Sequence, residues 1–162
     1  MVKNDALGRI RLRRAALNDA EALHGMQVAA FAPLLAKYRD TAISPAAETL
    51  DRVREKLCRP ETRFYFIMDG RLAVGAVRAV IPADPSRRKV ISPLFVMAPY
   101  RGRDFAQQAV HALEALYGPA HWALDTILEE PGNCHLYEKL GYRRVGASRV
   151  NPRMTIVDYE KD

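Results

Sequence analysis

The stretch RFYFIMDGRLAVGAVRAVI, residues 63–81, holds two runs dense in aromatic and β-branched side chains around Asp69-Gly70. Asp-Gly is a dipeptide favoured by tight hairpin turns, so the segment predicts a β-hairpin. The other elements are read on either side of it. Upstream, IRLRRA (10–15) alternates apolar and polar residues and suits a strand. Asn18 and Glu21 have capping-box spacing, and Leu23, Met26, Ala30 and Phe31 then recur at helical intervals. A second helix is expected from Ser44-Pro45 through Leu50, Val53 and Leu57, with serine as cap and proline at the first helical position. The intervening APLLAKYRDTAI has no evident conformation.

Downstream, KVISPLFVMAP reads as a buried strand in which Pro93 marks a bulge or an edge. From Asp104 to Tyr117 the residues Ala106, Ala109, Val110, Leu113 and Leu116 form a helical stripe that stops at Gly118-Pro119. HWALDTI is a strand, and NCHLYEKL a short helix with Asn133 as N-cap and Gly141 just past its end. YRRVGA and RMTIVDYE are final strands. The order is β, α, α, β, β, β, α, β, α, β, β.

A chain of 162 residues with 49% hydrophobic content fits one domain with a continuous core, read as residues 10–162 after an N-terminal extension of residues 1–9. The longest apolar run, Val28 to Ala36, is too short to span a bilayer and contains Pro33. The N-terminus shows no export signal, so a soluble cytoplasmic protein without membrane partners is expected. Cys58 and Cys134 lack C-x-x-C spacing and read as reduced thiols. His24, His111, His121 and His135 are scattered, so no metal is expected. A net charge of +6 favours anionic ligands. Aromatic residues are not interleaved with the basic clusters, which argues against nucleic acid as partner.

The strongest functional signal is APYRGRDFAQQAV, residues 98–110. A glycine-containing turn, a helix start and flanking arginines suit a phosphate, while the dinucleotide G-x-G-x-x-G and the P-loop G-K-[ST] are both missing. Asp104 is the anomaly. A carboxylate about 5 Å from a phosphate is repelled by roughly 3 kcal/mol per unit charge at an effective dielectric of about 20. The helix end offers only about 0.3–2 kcal/mol in compensation. Three ways out are open: capping with Gln107, an outward turn to Arg101 or Arg103, or service as a left-handed backbone residue.

VMAPYRGRDFA, together with NCHLYEKLGYRRVG about thirty residues later, resembles the GNAT superfamily of acyl-CoA-dependent N-acyltransferases. The first looks like the family's V-x-P-x-[YF]-[RQ]-G-x-G-x-[GA] loop, with the proline one position later at Pro99 and Asp104 in place of the second glycine, and LYEKLGY is the specific part of the second. The resemblance implies an α/β (α+β) fold with a mixed, mostly antiparallel sheet of about seven strands flanked by about four helices. It implies acetyl-CoA as acyl donor, with its pantetheine arm on Leu94, Phe95 and Val96 and its pyrophosphate on Arg101, Gly102, Arg103, Asp104, Phe105 and Ala106. Asn133 either caps its helix, reaches the pantetheine, or does both. Tyr137 is implied near the cofactor sulfur as the acid for the leaving thiolate, against the alternative of a core filler.

The base is open. Many family members carry a glutamate early in the strand before the phosphate loop, where this chain has Val90 and Ile91. Glu129 is taken as the catalytic candidate, with Glu130 and Asp125 beside it. Cys134 lacks a histidine placed to support a covalent route. The expected function is acetyl transfer from acetyl-CoA to a primary amine of a small molecule or peptide. The alternative is a catalytically inactive acyl-CoA-binding or protein-interaction module. The acceptor would lie against the first two helices and the last strands, near Phe31, Tyr38 and Tyr142. A homodimer is common in the family.

Overall fold

The structure, a computed structural model, describes residues 10–162; the expected 1–9 extension lies outside the described residues. A seven-stranded sheet of order β1-β2-β3-β4-β5-β7-β6 is built from β1 (Arg11–Arg14), β2 (Thr62–Asp69), β3 (Leu72–Val80), β4 (Lys89–Val96), β5 (Trp122–Ile127), β6 (Arg143–Asn151) and β7 (Met154–Lys161). Every pairing is antiparallel except β4 with β5. This is the mixed, mostly antiparallel sheet that the resemblance implies.

Helices cover both faces. α1 (Ala20–Tyr38) and α2 (Leu50–Cys58) place Leu23, Ala30 and Val53 over Phe64, Phe66, Ala76 and Phe95. α3 (Phe105–Tyr117) and α4 (Pro131–Lys139) place Phe105, Val110, Leu113 and Tyr137 over Ile67, Val77, Ile91 and Trp122 on the other face. Removing these large side chains from water is the main favourable contribution to folding, about 1.5–3 kcal/mol for each fully buried one.

The hairpin forms with its turn one residue later than expected. Asp69 pairs with Leu72, so Gly70 and Arg71 form the two-residue loop, and Gly70 supplies a φ of 60°. Pro93 sits at a bulge: the β3–β4 register shifts between Val77 and Ala79, where Arg78 donates from Nε to Ser92 O at 2.5 Å.

Helix starts depart from expectation in a consistent way. Asn18 lies in a 3-10 turn at Leu17–Asp19, and the carboxylate of Asp19 accepts from Ala16 N at 2.8 Å. Ser44 caps a 3-10 turn at Pro45–Ala47, whereas α2 itself starts after Thr49, whose Oγ1 accepts from Arg52 N at 3.2 Å. α4 starts after Glu130 with Pro131 in its first turn, which puts Asn133 inside the helix instead of at its cap. At its other end Gly141 takes a φ of 93°, as expected of a residue just past a helix. The unassigned APLLAKY continues α1 through Pro33 to Tyr38, and Arg39 ends it at φ 55°.

Candidate functional site

Strands β4 and β5 pair only at Lys89–Trp122 and Val90–Ala123 and then part. Beyond that point the β5 side of β4 has no ladder partner, and unpaired backbone groups are costly unless something satisfies them. A cleft of about 610 Å³ occupies this divergence. Leu94, Phe95 and Val96 form one wall, Asn133 and Tyr137 of α4 another, and Ala30 and Phe31 of α1 close the third side.

The loop before α3 supplies the floor. Arg101, Gly102, Asp104, Phe105 and Ala106 line it, while Arg103 stays outside the lining and exposed. Gly102 and Asp104 take φ values of 80° and 62°, a left-handed alternation that turns successive N–H groups toward one side. Among the described residues the N–H groups of Gly102, Arg103 and Asp104 have no protein acceptor. Beside them Gln107 Oε1 is buried, lines the cleft and lacks a partner. Sequence reasoning missed Gln107, since a glutamine on a helix stripe carries no signal of its own.

Asp104 makes no side-chain cap bond to α3, which removes the capping-box reading with Gln107. It makes no ion pair with Arg101 or Arg103 and stays exposed, serving as the left-handed residue before the helix. Its charge therefore stands uncompensated at the cleft floor, screened by solvent. Asp104→Gly is expected to tighten acetyl-CoA binding roughly threefold to tenfold by titration calorimetry. Unchanged or weaker affinity would place the carboxylate away from the phosphates.

The Arg101 guanidinium is committed to the protein. Its Nε donates to Val96 O at 2.8 Å and one terminal nitrogen to Ala30 O at 3.3 Å, so it braces β4 against α1.

Tyr137 lies between cleft and core. Its ring meets Tyr142 edge-on at 6.0 Å and Tyr159 at 6.2 Å. Burial, and after it the Asp125 carboxylate, push the phenol well above the usual tyrosine range. The group keeps its proton at any physiological pH.

The two glutamates after β5 separate. Glu129 does not line the cleft: its Oε1 accepts from Thr155 N at 2.8 Å at the start of β7, and that bond leads in holding its pKa below the ordinary value. Glu130 does line it, with Oε2 accepting from Tyr38 OH at 2.5 Å and Lys37 Nζ at 2.8 Å. Burial works to raise the Glu130 carboxyl, but these two hydrogen bonds outweigh it and hold the pKa below normal. Asn151 Nδ2 donates to Tyr38 O at 2.9 Å, tying the end of α1 to the β6–β7 hairpin at the same place. Asp125 is outside the lining and faces Asp158 across the β5–β7 ladder. Cys134 is buried with Sγ toward Ile127 O and Leu128 O, each at 3.9 Å, and is not part of the cleft wall.

Buried phenols also set the alkaline limit of the fold. Burial, then the hydrogen bond with Tyr117, push Tyr65 up to about 12. A raised pKa favours the protonated form in the folded state, so the contribution is intact below the unfolded value near 10 and disappears as pH rises toward 12. Thermal melts should show a midpoint that falls above about pH 10, less steeply in Tyr65→Phe. An unchanged midpoint through that window would contradict the placement of Tyr65.

Among the described residues no group of three or more His, Cys, Asp or Glu side chains is placed to hold a metal ion, and no helix is long and apolar enough to cross a membrane.

Comparison with solved structures finds the same fold in several acetyltransferases. One from Thermus thermophilus is 20% identical with a TM-score of 0.71, covering 94% of this chain and 96% of its own. A spermidine N-acetyltransferase from Vibrio cholerae, in complex with CoA and spermine, is 18% identical with a TM-score of 0.71, covering 93% and 94%. An acetyltransferase from Salmonella typhimurium that modifies the N-terminal serine of ribosomal protein L7/L12 is 14% identical with a TM-score of 0.71, covering 94% of each chain. Comparison with curated protein sequences gives no match. The sequence pattern of the acetyltransferase (GNAT) family matches residues 31–142, from the middle of α1 past the end of α4 and across every cleft residue except Ala30, and the chain belongs to that family.

Proposed function

We propose that the chain, as one domain spanning residues 10–162, transfers an acetyl group from acetyl-CoA to a primary amine. The observation that carries this reading is the divergence of β4 from β5 directly above a loop of unpaired N–H groups at Gly102 to Asp104. An extended amide-bearing arm with a pyrophosphate at its end needs backbone partners along a strand and converging donors at a helix start. The fit is supported further by the orphaned Gln107 Oε1, an acceptor suited to an amide or amino donor.

In this reading Leu94, Phe95 and Val96 offer backbone groups to the pantetheine, and Gly102 through Ala106 hold the pyrophosphate. Arg101 acts through its backbone and through its brace on Val96, while Arg103 adds positive charge from outside. Asn133, within the first turn of α4, faces the same arm. Acetyl-CoA supplies the activated thioester when bound. Tyr137 donates a hydrogen bond to the departing sulfur. Thiols titrate near 8.5, so a phenol held far above that stabilises a thiolate without surrendering its proton to it.

Glu130, and not Glu129, is the carboxylate positioned to meet an acceptor amine, because only Glu130 borders the cleft. With its pKa lowered it attracts a cationic amine better than it strips one, so proton loss from the amine falls to water. Turnover should accordingly rise with pH as the acceptor deprotonates and show no loss from Tyr137 ionisation up to about pH 10, measured by free-thiol release. A fall starting near neutral pH would contradict this assignment. Two features favour the second reading, a non-catalytic acyl-CoA binder: the exposed charge of Asp104, and the double occupation of Glu130 by Tyr38 and Lys37. Acetyl-CoA binding without thiol release across an amine panel would select it.

A further inference from the structure

A second cavity, of about 310 Å³, opens between α1, α2 and β4. It shares two elements with the acyl-donor cleft. Gln27 in its wall precedes Ala30 and Phe31 on α1, and Ser92 and Pro93 precede Leu94 to Val96 on β4. At 1.5 Å of rise per residue, the nearest lining residues of the two cavities, Gln27 and Ala30–Phe31, stand about 4.5–6 Å apart along α1.

The chemistry of this wall is cationic and rich in donors. Lys56 Nζ donates to Glu48 Oε2 at 2.5 Å, each side chain only 15% exposed. Arg52 lines the same wall and pairs outward with Glu55 at 2.8 Å. Arg78, behind Ser92, donates from Nε to Ser92 O and has no carboxylate within ion-pair distance among the described residues. Burial lowers its pKa, and the nearest opposing charge, Glu48, is already paired with Lys56. Ser44 and Thr49 accept from the backbone N–H groups of Ala46 and Arg52, and each keeps its own O–H to donate. Gln27 is wholly buried, with Nε2 shared between Pro45 O and Glu48 Oε1 and with Oε1 left without a partner. Arg52 and Lys56 in the wall and Arg78 behind it stand against the two carboxylates of Glu48 and Glu55, one anion short.

We infer that this cavity is the second compartment of the acceptor site and binds a carboxylate carried by the acceptor amine, as in an ω-amino acid. Lys56, Arg52 and Arg78 attract the carboxylate, and Ser44 and Thr49 donate to it. The same cations repel polyamines. The inference deepens the acetyl-transfer reading and rests on it for the identity of the neighbouring cleft.

The test compares 6-aminohexanoate with hexylamine. By free-thiol release, the amino acid should show at least about tenfold higher kcat/KM, carried by KM. The advantage should disappear in Arg52→Gln, a change at a half-exposed side chain that leaves the buried Lys56–Glu48 pair intact. In nitrogen-15 spectra, 6-aminohexanoate should shift the Gln27 side-chain amide and the backbone amides of residues 46–56, a result readable without turnover. No shift there, equal shifts with hexylamine, or better turnover of hexylamine or spermidine would overturn the inference. Acetyl-CoA should shift the amides of residues 102–106. Loss of that response with the Gln27 response intact would overturn the donor reading alone.

Discussion

Tyr137→Phe is expected to lower kcat roughly 10²-fold while changing acetyl-CoA affinity by less than about threefold. The phenyl ring keeps the contacts with Tyr142 and Tyr159, so packing of α4 on the sheet survives the change. What disappears is one hydroxyl, held protonated by burial, at the cleft wall. A thiolate leaving without a donor forfeits a charge-assisted hydrogen bond made only as charge develops, and such a loss appears in kcat and not in binding. Equal losses in turnover and affinity would show that Tyr137 only shapes the cleft.

The largest effect on stability is expected at Gly75→Ala. A Cβ built on Gly75 would stand 2.1 Å from Phe95 O and 3.0 Å from Val96 Cα, all of it backbone that cannot swing aside. Gly75 pairs with Val96 in the β3–β4 ladder, so relief requires the two strands to part at the strand that also forms the cleft wall. The cost should reach about 3 kcal/mol or more in urea unfolding, with acetyl-CoA binding lost alongside. Gly25→Ala is the control: a Cβ there meets nothing within 4 Å inside α1, and a gain of about 0.5–1 kcal/mol is expected. A mild Gly75→Ala would contradict the close approach of β3 to β4.

Strands and their order were legible because alternation and apolar density are local properties that tertiary packing reinforces. Helix boundaries were less so. Asn18, Ser44 and Asn133 all have the right chemistry for caps, yet the neighbouring Asp19, Thr49 and Glu130 hold the starting positions. Cap choice depends on where the chain must turn to bury Leu23, Val53 and Tyr137, and this is fixed at long range. Pro33 concealed the last turn of α1, since a proline inside a helix reads as a break until packing compensates for its missing bond.

The site was legible in part for the same reason. The loop at residues 101–106 announces its backbone geometry through Gly102, and Asp104 proved to be the other left-handed residue there. Side-chain directions are not written locally. Arg101 turns to Val96 O and Ala30 O, and Glu130 takes the cleft position while its neighbour Glu129 turns to Thr155. The Tyr38–Glu130 contact joins residues 92 positions apart, a distance at which no sequence spacing carries a signal. The cavity around Gln27 likewise depends on two helices, a strand and the loop between α1 and α2 meeting in space.

Titration of the protein with acetyl-CoA, followed by free-thiol release on adding an amine, tests the central claim most directly. Binding with one-to-one stoichiometry, abolished by a bulky residue at Gly102, and thiol release that depends on the amine, are the expected results. No heat of binding at millimolar acetyl-CoA would contradict the assignment of the cleft between β4 and β5 as the acyl-donor site.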